Sequence, residues 1–212
     1  MNPLDLRVYI ITASVPHLGR THEDVALAAL AGGARIIQFR DKEISDEEFA
    51  AIAQRLLQLT RKHNALLIIN DRVEVALAIG ADGVHVGQHD LAFAEVKRIS
   101  CPGMIIGISA TDYSEAISLA SSGADYLGVG PIFPTPSKAD ATPPIGLDEL
   151  ARICRDIRIP IVAIGGITES NLPQIINIGV AGAAVISAIS SAPDMTAATA
   201  ALLGVWSKVG ED

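Results

Sequence analysis

The chain has 212 residues, a length that suits one domain or one α/β barrel. Half of the residues are hydrophobic and only 4% are aromatic, so a core must be built from Ala, Ile, Leu and Val, as suits buried parallel strands under close-packed helices. The net charge of -8 argues against a nucleic-acid partner, which needs a basic face, and no apolar run reaches the roughly 20 residues that cross a membrane.

Arg7–Thr12 is the first β-branched run and predicts a strand; the Ala-rich amphipathic stretch His22–Ala31 predicts a helix after it. Strand Arg35–Arg40 follows, then helix Asp46–His63. Ser45 marks that helix start: a hydroxyl cap, then three acids, Asp46-Glu47-Glu48, against the positive end of the dipole. The alternation continues with strand Ala65–Asn70, helix Val73–Gly80, strand Gly83–Gly87 and helix Ala92–Ile99. Strand Met104–Ala110, helix Tyr113–Ser122 and strand Tyr126–Gly130 come next. The segment from Pro131 to Gly146 then lacks any period and is rich in Pro, Thr, Ser and Asp, as binding loops and lids often are. Helix Leu147–Asp156, strand Pro160–Gly166, helix Asn171–Gly179, strand Ala183–Ala188 and a last helix near Asp194–Lys208 complete the chain. Gly32-Gly33, Gly80, Gly123 and Gly179 fall where helices should stop. A phrase recurs at three of these stops: Gly80-Ala81-Asp82-Gly83, Gly123-Ala124-Asp125-Tyr126 and Gly179-Val180-Ala181-Gly182. Strict strand–helix alternation means a parallel sheet, and eight repeats argue for closure into a single (β/α)8 TIM barrel.

In such a barrel the chemistry belongs at the C-terminal ends of the strands. Strand two ends Gln38-Phe39-Arg40-Asp41-Lys42. Residues two apart on a strand share a face, so Gln38 and Arg40 should look into the mouth together, with Phe39 turned out and Lys42 within reach. That trio offers an anion site; the other reading is a solvated charged loop. Strand three delivers Asn70-Asp71 to the rim, and strand four leads through His85 to Gln88-His89-Asp90. Asp71 and Asp90 then lie on neighbouring strands beside the basic trio. Two carboxylates beside an anion site suit Mg2+, which takes one or two carboxylates plus phosphate oxygens and water; the alternative is that both acids cap the next helices. Ser109 brings a hydroxyl to the rim. The paired glycines Gly165-Gly166, with Ile186-Ser187 after strand eight, match the common phosphate site of these barrels, although they could form a bare turn. His85, between two valines, reads as a simply hydrogen-bonded histidine, and His89 is assigned no chemistry. A metal-bound diphosphate site near strands two to four, a monophosphate site near strands seven and eight, and a loop carrying Thr135, Ser137 and Lys138 form the layout of a transferase for two phosphorylated small molecules.

These segments resemble the thiamine phosphate synthase family along nearly the whole chain. The specific runs are Gln38 to Lys42, Ile69-Asn70-Asp71-Arg72, Ala81 to Asp90 and Gly123 to Lys138; Ile164-Gly165-Gly166-Ile167 adds weaker support. The resemblance implies that Gln38, Arg40, Lys42 and Asn70 hold an aminopyrimidine diphosphate and that Asp71 and Asp90 bind magnesium. Ser109 and Lys138 would contact the diphosphate side, with Arg40, Lys42, Ser109 and Lys138 serving catalysis. Thr135, Ser137, Gly166, Ile186 and Ser187 would receive the thiazole phosphate. Ser137 stands where the family usually has Thr, and it keeps the hydroxyl. After Ser109 many members have Ala-His, whereas this chain has Ala110-Thr111. A related thiazole tautomerase uses a histidine near that point, so the difference favours the synthase.

The rival readings are that tautomerase, a Schiff-base aldolase using Lys42 or Lys138, and a silent sensor of thiamine precursors. A homodimer is left open. Cys101 and Cys154 lack metal-ligand spacing and read as reduced thiols, and the opening residues lack a basic stretch before a long apolar core, so no signal peptide and a cytoplasmic location are expected.

Overall fold

A computed structural model describes residues 4–88, 90–135 and 143–209. Eight parallel strands, β1 (Val8–Ile11), β2 (Ile36–Phe39), β3 (Leu66–Asn70), β4 (Gly83–Val86), β5 (Ile105–Ala110), β6 (Tyr126–Val129), β7 (Ile161–Ile164) and β8 (Gly182–Val185), close in sequence order into a barrel. The helices α1 (His22–Ala31), α2 (Asp46–Lys62), α3 (Val73–Ile79), α4 (Phe93–Ile99), α5 (Tyr113–Ala120), α6 (Gly146–Asp156), α7 (Leu172–Ile176), α8 (Ser187–Ser190) and α9 (Met195–Val209) surround it. The predicted (β/α)8 architecture is therefore the observed one.

Two elements differ from expectation by more than two residues at a boundary. The run Ala183–Ala188 was expected to be a single strand, but it breaks after Val185 and Ser187 begins the short helix α8. The β-branched pair Val185-Ile186 among small residues suits a buried strand, yet Ile186 leaves the extended region at φ -117, ψ -83. Helix α7 spans only Leu172–Ile176, shorter than predicted, with Pro173 in its first turn. Elsewhere the local signals hold. Glu48 N donates to the Ser45 hydroxyl at the head of α2, and Gly80 closes α3 at φ 65.

Strand alternation divides the core in two. Val8, Ile10, Ile37, Phe39, Leu67, Ile69, Val84 and Val86 point outward and pack under the helices. Tyr9, Ile11, Ile36, Ile68, Tyr126, Val162 and Ala184 fill the barrel itself. The two large inward tyrosines need room, and glycine supplies it. Gly107 pairs with Tyr126 across β5 and β6, and a Cβ there would run into the Tyr126 ring.

The recurring Gly-Ala-Asp phrase has a mechanical role. Asp82 accepts the N–H of Leu67 through Oδ2 at 2.8 Å, and Asp125 accepts the N–H of Ile106 in the same way at 2.7 Å. Each carboxylate thus ties the start of one strand to the start of its neighbour. The third copy, which has Ala181 at that place, is held only through its backbone, Ala181 N to Ile161 O at 2.8 Å. These ties lie at the N-terminal end of the barrel, opposite the cavity.

After β6 the chain crosses the top of β7. Ile132 N donates to Ile164 O at 2.8 Å and Phe133 N to Gly165 O at 3.1 Å, which carries Thr135 over the strand ends.

Candidate active site

The C-terminal ends of the strands open into one cavity of about 760 Å3. Arg40, Lys42, Asn70, Asp71, Asp90 and Ser109 line one side of it, and Thr135, Gly166, Ile186 and Ser187 also line it. Ser137, Lys138 and His89 lie outside the described residues.

The acidic pair is set by backbone geometry. Asp71 follows β3 in the left-handed region, at φ 60, and its N–H donates to His85 O at 2.9 Å. That turn swings its carboxyl towards Asp90, whose Oδ2 accepts the N–H of Gly87 at 2.6 Å. The two side chains share a hydrogen bond. Neither caps a helix: α3 has Arg72 and α4 has Ala92 at the cap position, and neither helix has a side-chain cap bond. The helix-cap alternative is therefore not what the structure has.

Burial raises the Asp71 carboxyl above its ordinary value near 3.8, and the Asp90 side chain raises it further through their shared hydrogen bond and its like charge. Lys42 and Arg40 pull it part of the way back, leaving it at about 7. Two carboxylates that must share a proton near neutrality form a place where a divalent cation can replace that proton. Among the described residues no group of three or more His, Cys, Asp or Glu could hold a metal. The pair is thus no closed protein cage. It fits an ion that takes its remaining ligands from phosphate oxygens and water, as Mg2+ does.

At another part of the wall, Gly165 and Gly166 adopt φ 99 and 65, conformations that side chains resist. Asn171 braces this turn, with Nδ2 donating to Gly166 O at 2.9 Å and Oδ1 accepting Thr168 N at 2.8 Å. Ile186, Ser187 and Ala188, where β8 gives way to α8, face the same space. A backbone-lined wall of this kind suits a phosphate.

Gln38 departs from expectation. It points inward like Arg40 but sits one layer deeper, 2% exposed, with Nε2 donating to the Tyr9 hydroxyl at 2.9 Å. It borders a separate pocket of about 30 Å3 beneath the main cavity. Residues two apart on a strand share a face yet stand about 6–7 Å apart along it, enough to put them in different layers. Around that pocket runs a buried polar chain. The Tyr9 and Tyr126 hydroxyls are 2.7 Å apart, His85 Nδ1 meets the Tyr126 hydroxyl at 3.0 Å, and His85 Nε2 meets Ser109 Oγ at 2.9 Å. His85 is thus a hydrogen-bonded core residue that orients Ser109. Burial pushes the Tyr9 phenol well above its ordinary range, so it is a neutral partner here.

Sequence reasoning missed Tyr9 and Tyr126, which look like ordinary strand residues; the signal available was Gly107, the small residue opposite a large one. It also missed His22. This buried histidine meets Thr12 Oγ1 through Nδ1 at 2.9 Å and Asp41 Oδ2 through Nε2 at 3.0 Å. At Thr111 the hydroxyl and N–H both donate to Glu115 Oε2, at 2.8 and 2.7 Å.

Known proteins are similar to this chain over nearly its whole length. The family model described as thiamine monophosphate synthase matches residues 8–189. A thiamine-phosphate synthase of Chloroflexus aurantiacus is 46% identical over 208 residues, 98% of this chain and 96% of that protein. One from Archaeoglobus fulgidus is 49% identical over 189 residues, 89% of this chain and 88% of its own. The solved thiamine phosphate pyrophosphorylase of Pyrococcus furiosus superposes with a TM-score of 0.87 at 41% identity, covering 97% of each chain. With the fold, the paired acids beside two cations and the glycine turn all in place over the matched span, the chain belongs to the thiamine monophosphate synthase family.

Proposed function

We propose that this protein is a thiamine phosphate synthase, which joins an aminopyrimidine diphosphate to a thiazole phosphate and releases diphosphate. The observation that carries this reading is the Asp71–Asp90 pair under the field of Arg40 and Lys42 in a cavity that also has a glycine-lined wall. One region suits a metal-bound diphosphate and the other a monophosphate. Family membership supplies the identity of the two ring systems.

The reaction is a leaving-group problem. The CH2–O bond of the pyrimidine breaks with both electrons leaving on the diphosphate, and the aminopyrimidine ring spreads the positive charge left on the CH2. The thiazole nitrogen then gives its lone pair to that carbon, forming the C–N bond. No protein nucleophile is needed. Arg40 and Lys42, already in place at the cavity, neutralise the charge that grows on the departing diphosphate without reorganising, and Lys138 has the same part in this reading. Asn70 and Ser109 add hydrogen-bond partners at that end, with Ser109 oriented by His85, while Gln38 serves the ring from the layer beneath. Thr135, Ser137, Gly166, Ile186 and Ser187 hold the thiazole phosphate so that its nitrogen lines up with the CH2 group, which supplies the entropic share of the rate. Asp71 and Asp90 would hold Mg2+, which when bound supplies Lewis-acid neutralisation and a template for the diphosphate.

A cytoplasmic setting goes with this reading, since Cys101 and Cys154 are free thiols, as a reducing compartment keeps them. No helix among the described residues is long and apolar enough to cross a membrane. The test is direct. The protein incubated with both substrates and Mg2+ should release thiamine phosphate and diphosphate in equal amounts. A shift in the thiazole alone, without the pyrimidine substrate, would instead indicate a tautomerase. Borohydride trapping of a carbonyl substrate would indicate an aldolase, and binding without turnover a sensor.

A further inference from the structure

The cations that meet the diphosphate sit on a turn that is itself clamped from beneath. Asp41 separates Arg40 from Lys42 in the chain and does not line the cavity. Its Oδ1 accepts the N–H groups of Glu43 and Ile44, at 2.8 and 3.4 Å, which folds the chain back just after Lys42. Its Oδ2 faces His22 Nε2 at 3.0 Å. A carboxylate only accepts, so Nε2 donates to Asp41, while Nδ1 bonds the Thr12 hydroxyl at 2.9 Å. Thr12 in turn donates its N–H to Gln38 O at 2.9 Å. His22 is 4% exposed and packs edge-on against Phe39, with ring centroids 4.8 Å apart. The end of β1, the start of α1 and the end of β2 are thereby joined through one imidazole. From the opposite side Arg72, next to Asp71, donates to Ile44 O at 2.8 Å and to Asp46 Oδ1 at 2.8 Å. The turn is held between the two.

We propose that His22 is a positioning residue for the diphosphate site: by fixing Asp41 it sets the turn from which Arg40 and Lys42 reach the leaving group. The inference rests on the proposed synthase reaction for its meaning. It requires that the bond from Nε2 to Asp41, rather than the bulk of the ring, is what counts. That separates it from a histidine that only fills the core.

Two substitutions divide these roles. In His22→Gln the side-chain amide can reach the place of Nε2 and still donate to Asp41. In His22→Asn the shorter amide stands near Nδ1, keeping Thr12 and losing Asp41. Both lose the ring against Phe39. The readouts are binding of magnesium diphosphate by calorimetry, thermal melting, and KM and kcat for each substrate. His22→Asn should weaken magnesium diphosphate binding and lower kcat/KM for the pyrimidine diphosphate by about 10–100-fold, the range seen when groups supporting a site's direct contacts are lost. KM for the thiazole phosphate should stay in place. His22→Gln should recover most of that loss at a similar melting temperature. If the two variants lose equally, or if both substrates' KM values rise together with a falling melting temperature, His22 is a packing residue and the proposal is overturned. An unaltered protein that binds magnesium diphosphate yet forms no thiamine phosphate would sink the synthase reading instead. The binding comparison would still judge His22.

Discussion

Replacing Asp71 with Asn should make the metal-free protein more stable above neutrality while abolishing magnesium-dependent turnover. The folded protein holds the Asp71 proton up to about pH 7, whereas the unfolded chain releases it near 3.8. A carboxyl raised in this way stabilises the fold below the unfolded value, and the contribution is lost as pH climbs through about 7. The gap is about 3 pH units, or about 4 kcal/mol at full strength at about 1.4 kcal/mol per unit. The side chain is only half-buried, and solvent screening reduces the cost to about 2 kcal/mol. Asn removes the charge and keeps a donor for Asp90. It also tolerates φ 60, the left-handed conformation of this position, better than Ala does. For a chain of this length about 2 kcal/mol corresponds to about 4–8 °C. Thermal melts in chelator at pH 5 and pH 8.5 check this. The variant should exceed the parent by about 4–8 °C at pH 8.5 and by less than half of that at pH 5, where the folded protein still holds the proton but the unfolded chain has released it, and added Mg2+ should close the gap by stabilising the parent alone. A variant less stable at pH 8.5, or an offset equal at both pH values, would refute the argument that two carboxyls are held together awaiting a cation.

Other expectations concern separate parts of the molecule. Lys138→Ala should lower the rate of a single turnover more than it lowers pyrimidine affinity; rapid-quench rates equal to the parent's would remove Lys138 from the mechanism. Gly166→Ala places a Cβ 2.6 Å from Pro134 O and 2.8 Å from the Phe133 side chain at φ 65. It should raise KM for the thiazole phosphate by about tenfold, the loss expected for one hydrogen bond to a charged group, and leave magnesium diphosphate affinity alone. Gly107→Ala forces a methyl into the Tyr126 ring and should destabilise the fold by about 2–3 kcal/mol in denaturant melts.

Much of this was legible before any coordinates, for identifiable reasons. The strands announce themselves because each is short, β-branched and followed by a helix with a marked stop, and closure follows from their number. Arg40, Asp71 and Asp90 could be placed because a strand end is a strong positional constraint in a barrel. What failed was depth and side-chain partnership. Gln38 shares the inward phase of Arg40 but belongs to a lower layer, and phase alone does not count layers. Tyr9 and Tyr126 meet across the barrel interior, 117 residues apart in the chain, and only the register that sets Gly107 against Tyr126 explains how they fit. The break at Ser187 is hidden because Val185-Ile186-Ser187 reads as well for a strand as for a strand end. His22 could be seen only as the first residue of a helix; its bond to Asp41 depends on how α1 lies against β2.

The Asp82 and Asp125 ties bear on how freely this enzyme can change. Each secures one strand to the next at the closed end of the barrel, far from the rim where substrates enter. Rigidity is thus invested at one pole and chemistry at the other. The rim loops can be shortened, exchanged or redesigned for another acceptor without disturbing the joints that keep the staves aligned.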